Sequence, residues 1–269
     1  MKAKLNKNLT DIRNFFDLIR KQNPTQEEVY NFFLECKTFI FNAYGLDENA
    51  YDITIHFVNP KELDFDEAKM CADQKYSNKF EITLSSHKLS NKYSLKQPNK
   101  EKESLNNEDL VNQRNTNIFT LTISFFHELG HVFQYILEPK TMRIEDENKD
   151  ALFETFEQIC CLMPNNRKTR LIIKTLGKHI NALAYMSSAE RNADKKAYIY
   201  FASILSQLIQ VEEDEEMLDF LCSIMQYLNK AKKHNHKLYR EFSKENRESI
   251  EKLQALNFER ELEKLSRSL

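Results

Sequence analysis

Hydrophobic residues recur at helical spacing over most of the chain, and the first two elements that this pattern predicts are helices. An amphipathic helix is expected over Leu9–Lys21, ending before Pro24. A second helix is expected to begin at the capping box Thr25–Glu28, to continue to about Tyr44 and to stop at Gly45. The start of the chain is therefore predicted to be a helical segment.

Alternation of hydrophobic and polar residues, which is typical of half-buried strands, is confined to a short region after these helices. Tyr51–Val58 and Phe80–Ser86 are predicted as strands. A shorter strand at Ala72–Lys75 could pair with the second one across Tyr76–Lys79. The intervening stretch Lys61–Met70 fits either a short helix or a loop.

The next region changes abruptly from polar to apolar. Leu89–Asn117 is rich in Lys and Asn and cannot bury enough apolar area to offset its ordering entropy. We therefore expect a long loop or partly disordered insertion there, with a helical turn near Asp109. Ile118–Ile136 is apolar nearly all round, which predicts a buried helix.

Helical spacing resumes after Pro139, where we expect a break in the chain. The predicted helices are Asp150–Met163, Asn166–Thr175 with Gly177 as its stop, Ser187–Gln210 with a serine N-cap, and two charged amphipathic helices at about Glu213–Lys230 and His236–Ser266.

These elements predict an α+β, predominantly helical fold with a small sheet. Only 3 Gly and 5 Pro occur in 269 residues, which favours helices over turn-rich sheets. We expect N-terminal helices over 1–48, a central domain over 49–210 that contains the polar segment 89–117, and a helical extension over 211–269.

Composition excludes several classes of protein. The net charge of −2 gives no general attraction to nucleic acid, and no apolar run approaches the length that membrane insertion needs. Five cysteines without a CxxC pair indicate reduced thiols rather than disulfides. We therefore expect a cytoplasmic protein, or one exported without a cleavable signal peptide. The sequence leaves the oligomeric state open.

The predicted buried helix contains an HExxH motif, formed by His127, Glu128 and His131. Histidines four residues apart lie one helical turn apart on one face, where their neutral imidazoles can hold one zinc ion. The glutamate between them can act as a general base. Two hydrogen-bonded core histidines are the alternative, but buried imidazoles and a carboxylate are costly without partners, and a metal ion supplies one.

A hydrolytic zinc site usually has three protein ligands, and Glu190 is the predicted third. Glu190 and Asp194 open the otherwise apolar face of the Ser187–Gln210 helix, where unpaired carboxylates would be costly. Asp194 is expected to bind a ligand histidine and fix its tautomer. Alternatively, Glu190 only completes a capping box with Ser187.

Other acidic residues precede this helix. Glu157 and Glu154, in the predicted Asp150–Met163 helix, are the alternative third ligands. The acids at positions 145–147 are typical of solvated loop charges.

The HELGH motif followed by Glu190-Arg191-Asn192-Ala193-Asp194, an ExxAD motif, resembles the gluzincin metallopeptidases. The motif spacing is similar to the membrane-associated heat-shock and prenyl-protein proteases, and the lack of transmembrane segments is closer to soluble minimal gluzincins. The resemblance implies a zincin-like catalytic core over 49–210, with one Zn²⁺ on two His and a Glu. The HxxGxxH extension of metzincins is absent.

Together these observations predict a zinc-dependent metalloendopeptidase that acts on a protein or peptide, with Glu128 as general base. The substrate is expected to extend along an edge strand, for which Phe80–Ser86 is the candidate. The alternative is a zinc-binding, non-proteolytic interaction protein. The candidate stabilisers of the oxyanion are Tyr185, Tyr198 and His179.

Overall fold

A computed structural model describes residues 7–58, 68–72, 78–86, 107–163 and 166–255 of the chain. These residues form a predominantly helical α+β fold, which confirms the predicted fold class. No helix in the described ranges combines the length and apolar character needed to cross a membrane. The helices are α1 (Lys7–Lys21), α2 (Gln26–Ala43), α3 (Asn107–Leu137), α4 (Pro139–Leu162), α5 (Arg167–Tyr185), α6 (Ser188–Val211) and α7 (Glu215–Ala255), and the strands are β1 (Asp52–Val58), β2 (Ala68–Ala72) and β3 (Lys79–Ser85).

The three described strands form one mixed sheet in the order β1-β3-β2. Strand β3 runs parallel to β1 and antiparallel to β2, with Ala72 opposite Phe80. The prediction of Phe80–Ser86 as an edge strand is therefore wrong, because β3 uses both of its edges to pair with its neighbours. Strand β2 pairs with β3 as expected, but it shares only Ala72 with the predicted strand Ala72–Lys75. The expectation of a helix or loop up to Met70 is wrong for Ala68–Met70, which belong to β2. Residues 61–67 and 73–77 lie outside the described ranges.

The start of α2 follows the predicted capping box. The Thr25 hydroxyl accepts a hydrogen bond from the Glu28 backbone N–H at 3.2 Å, and the Glu28 carboxylate accepts one from the Thr25 N–H at 2.6 Å. At the other end Gly45 has a φ of 65°, a left-handed conformation that glycine adopts without steric cost. Local sequence alone determines both ends of this helix.

Helix α3 is longer than expected because it includes the polar residues 107–117, which were assigned to a loop. Propagation from an established helix costs little for each added residue, so the buried half of α3 can extend into a polar sequence. The rest of the polar segment, up to residue 106, lies outside the described ranges. Pro139 does separate two helices, but it is also the first residue of α4, where its missing N–H costs nothing.

Two further helix ends were predicted wrongly. Helix α5 continues through Gly177, where a Cβ atom would lie 3.3 Å from Cζ of Phe156. This glycine therefore allows a close side-chain contact and does not end the helix. Helix α7 is continuous across the predicted gap at residues 231–235, since nothing there is a helix breaker. Residues 256–269 lie outside the described ranges.

The chain divides into two compact units, of which the first comprises Met1–Ile136 and Ala193–Lys230. Its core is rich in fully buried aromatic side chains. Phe33 and Phe125 stack with ring centroids 4.4 Å apart, and Phe126 contacts Phe201 at 5.8 Å. Offset aromatic pairs of this kind add stability beyond the area they bury. The apolar part of α3, from Ile118 on, and most of α6 are thus fixed in this core.

The second unit comprises Leu137–Asn192 and Ala231–Leu269. Within it α4 and α5 enclose a small apolar cluster with few fully buried side chains. Its buried members are Met163, Ile172, Leu176 and Ile180, with Leu152, Phe153, Phe156, Ile159 and Ile173 partly buried around them.

Candidate metal centre

Helix α3 carries His127 and His131 one turn apart, with ring centroids 4.8 Å apart and the rings nearly perpendicular. Their Nε2 atoms lie 3.1 Å from one another. Residue His131 is 9% exposed and the His127 side chain 18% exposed. The predicted pair therefore converges, on a largely buried face of the helix, at a single point.

The other nitrogen of each ring, Nδ1, is hydrogen-bonded to a side-chain oxygen. Nδ1 of His127 lies 2.7 Å from Oδ1 of Asp194, and Nδ1 of His131 lies 2.9 Å from Oε1 of Gln134. A carboxylate or amide oxygen accepts only, so each Nδ1 carries the hydrogen. In the neutral imidazoles, Nε2 then presents a lone pair.

Two lone pairs that face each other at 3.1 Å repel unless a positive species lies beside both. A proton shared by the two rings or a metal ion satisfies this requirement. Two nitrogens that are each 2.0–2.1 Å from a tetrahedral zinc ion lie about 3.3 Å apart, which is close to the separation found here. The donor set therefore fits a metal ion of the zinc type.

A third ligand atom is present in the same group. Among the described residues, His127, His131 and Glu190 each offer one ligand atom within 4.8 Å of the others. Glu190 is one helical turn before Asp194 on the continuous helix α6, and Asp194 is hydrogen-bonded to His127. The helix itself therefore directs Glu190 towards the imidazoles.

Gly130 permits the close approach of α3 and α6 at this point. A Cβ atom on Gly130 would lie 3.1 Å from Cα and 3.2 Å from the carbonyl oxygen of Ala193. Both of these are backbone atoms, which cannot rotate away. Because Ala193 directly precedes Asp194 and Gly130 directly precedes His131, this contact sets the distance between the acidic residue and the imidazoles.

Several hydrogen bonds surround the first turn of α6. The Ser187 hydroxyl accepts from the Glu190 N–H at 3.2 Å, but the Ser187 N–H donates to the Ala184 carbonyl. The Glu190 carboxylate lies 3.5 Å from Nζ of Lys149.

Glu145 also holds this turn. Its carboxylate accepts hydrogen bonds from the Ser188 hydroxyl and from the Ala189 N–H, the latter at 3.0 Å. The prediction that the acids at 145–147 are solvated loop charges is therefore wrong: they belong to α4, and Glu145 is half-buried and supports the start of α6. A negative charge at a helix N-terminus is favoured by the helix dipole.

Other predicted site residues are placed as follows. Glu128, the expected base, is 7% exposed on α3 between the two histidines. Tyr198 is 9% exposed on α6, one turn beyond Asp194. His179 lies on α5 with a buried Nδ1, and the side chain of Tyr185 is outside the described part of the chain. Glu154 and Glu157 are exposed on α4, and neither belongs to the group of metal-ligand atoms found among the described residues.

Sequence reasoning missed two residues of the site, Gln134 and Gly130. A signal existed for each of them. Gly130 is one of only three glycines and stands inside a strongly helical pattern, which often marks a close packing contact. Gln134 lies three residues after His131, a spacing that places two side chains on the same face of a helix.

We found no protein-family model, no curated protein and no solved structure that matches this chain.

Proposed function

We propose that the protein is a zinc metallopeptidase whose ion is held by His127, His131 and Glu190. The observation that supports this most strongly is the convergence of the two Nε2 atoms, 3.1 Å apart, with both Nδ1 atoms hydrogen-bonded to oxygens. Glu190 supplies the oxygen donor of the same group. The donor set and motif pair resemble those of the gluzincins, in which two histidines and a glutamate bind zinc.

Zinc held by these three residues would polarise a carbonyl group and lower the pKa of a bound water to about 7. The residues of the chain perform the remaining steps. Glu128 takes a proton from the attacking water and delivers it to the leaving amine. Asp194 holds the His127 imidazole in the tautomer that keeps Nε2 available.

The proposed substrate is a protein or peptide in extended conformation. Such a chain binds most simply by adding a strand to a sheet edge. Because β3 is central, the candidate edges among the described strands are β1 and β2. Strand β2 is antiparallel to its neighbour, and its short length is typical of an edge strand.

The first test is Glu128→Gln, which removes the base and preserves the size of the side chain. We expect zinc stoichiometry to remain as in the wild type while hydrolysis of a broad peptide library falls by about 10²–10⁴-fold. Retained hydrolysis in this variant would contradict the mechanism. A zinc-loaded wild type that cleaves no peptide would support the alternative, a zinc-binding interaction protein.

The second test addresses the third ligand. Glu190→Ala is expected to weaken zinc binding by at least about 100-fold, because it removes a direct ligand. Glu154→Ala and Glu157→Ala are matched controls, since both residues are exposed acids on α4, and neither should change zinc affinity. A loss of affinity in either control, without a loss in Glu190→Ala, would assign the third ligand to α4 instead.

A further inference from the structure

The two imidazoles of the candidate centre have supports of different chemical type. His127 is bound at Nδ1 by the carboxylate of Asp194 on another helix. His131 is bound at Nδ1 by the neutral amide of Gln134, on its own helix. The first support, Asp194, belongs to the ExxAD motif, whereas Gln134 lies outside both motifs.

Gln134 is 4% exposed and lies on α3 one turn after His131. Burial of an amide is costly unless it forms hydrogen bonds, so its position in the core requires a polar role. Its Oε1 is 2.9 Å from Nδ1 of His131, within the normal range for a hydrogen bond. That contact is made only by the Nδ1–H tautomer.

We infer that Gln134 is a positioning residue that holds His131 in the Nδ1–H tautomer, so that its Nε2 lone pair faces His127 and Glu190. The inference extends the proposed function, since the lone pair is assigned to zinc. It also explains why the support is an amide. The partly buried carboxylates of Asp194 and Glu190 already lie at the centre, and a neutral acceptor orients the second ring without adding another negative charge.

The test compares Gln134→Leu with Gln134→Glu in the full-length protein, using Zn²⁺ alone in a competition titration. The leucine variant has a side chain of similar size that lacks the acceptor, and its zinc Kd should rise roughly 10–100-fold. The glutamate variant restores an acceptor at the same position, and its Kd should be within about threefold of the wild type or lower.

Thr122→Val is the matched control for damage to the core of α3. Thr122 is 1% exposed and its hydroxyl donates to the Ile118 carbonyl within the same helix. This variant should alter thermal stability but leave zinc affinity unchanged. A purely structural role of Gln134 predicts instead that the leucine and glutamate variants are equally impaired, and that result would overturn the inference.

A second measurement does not depend on zinc. Nitrogen-15 NMR of the metal-free protein reports the tautomer of each neutral imidazole. We expect the Nδ1–H form of His131 in the wild type and an increased Nε2–H fraction in Gln134→Leu. If the wild type binds no zinc, the proposed function fails, and the tautomer alone decides the inference. An unchanged tautomer in Gln134→Leu would refute it.

Discussion

The two sides of the candidate centre differ in how they are held. The histidine side lies in the aromatic core of the first unit, where each imidazole has a hydrogen bond of 2.7–2.9 Å. The glutamate side is the first turn of α6, where Glu190 is 24% exposed and pairs with Lys149, which is 48% exposed. One side is fixed by packing, and the other by contacts that solvent reaches.

The two sides are therefore expected to contribute differently to metal binding. The packing of α3 and the hydrogen bonds to Asp194 and Gln134 hold the imidazoles in one orientation. Glu190 depends on the turn that Glu145 supports and on a partly exposed ion pair, which contributes little. We therefore expect the histidine pair to determine whether an ion binds, and Glu190 to determine how long it stays.

The largest effect is expected from the core beneath the histidines. Phe125 is fully buried and stacked on Phe33, so Phe125→Ala should lower the free energy of unfolding by about 3–5 kcal/mol. Phe156 of the second unit is only partly buried, and Phe156→Ala should cost about half as much. Urea denaturation monitored by circular dichroism measures both. Equal losses would show that the two cores do not differ as described.

The helix contact at Gly130 provides the next comparison. Gly130→Ala forces a Cβ against the backbone of Ala193 and should cost about 1–3 kcal/mol of stability and weaken zinc binding at least tenfold. The control is Gly177→Ala, where the added Cβ meets only the end of the Phe156 ring and gains helix propensity. Its stability should change by less than about 1 kcal/mol, with zinc affinity unaltered. Wild-type zinc affinity in Gly130→Ala would contradict the assigned role of this contact.

A third comparison sets the support of the histidines against that of the glutamate. Asp194→Ala removes the acceptor of His127 and should raise the zinc Kd by roughly 10–100-fold. Lys149→Met removes the ion pair of Glu190 and should change the Kd less than about fivefold, because a half-exposed pair is worth 0–1 kcal/mol. Titration of both variants with zinc under one set of buffer conditions is sufficient. A larger rise in zinc Kd for Lys149→Met than for Asp194→Ala would contradict this comparison.

The smallest effect concerns the far end of α6, where Glu212 accepts two hydrogen bonds from Arg13 at 2.7 and 3.0 Å. The hydrogen bond from Arg13 holds the pKa of Glu212 below its usual value in the folded protein. A lowered folded pKa contributes stability above the unfolded pKa, and this stability is lost as pH falls through the folded value. Arg13→Met should thus cost about 1 kcal/mol at pH 7 and progressively less below about pH 4. A cost that does not depend on pH would show that the pairing contributes nothing through Glu212.

The sequence predicted those parts of the structure that depend on local chemistry. The ends of α2 follow from Thr25, Glu28 and Gly45, and the facing histidines follow from their spacing of one turn. The pairing of Asp194 with His127 was also expected, since a carboxylate on an apolar helix face needs a partner.

Features that depend on tertiary packing could not be predicted. Glycine is a residue type that often ends a helix, but Gly177 instead leaves room for the Phe156 ring. No local sequence pattern reveals that contact. The polar start of α3 was assigned to a loop because its apolar continuation, and not its own composition, makes it helical. The central position of β3 follows from the order of the strands. The role of Glu145 follows from its hydrogen bond to the start of α6.

The central claim is that one zinc ion is bound by two imidazoles and a carboxylate. Zinc K-edge X-ray absorption of the zinc-loaded wild type tests it most directly, with His131→Ala as the reference. We expect one zinc per chain, bound by two imidazole nitrogens and otherwise by oxygen donors, and we expect the variant to lose one imidazole. A shell containing cysteine sulfur, or a spectrum that His131→Ala leaves unchanged, would contradict it.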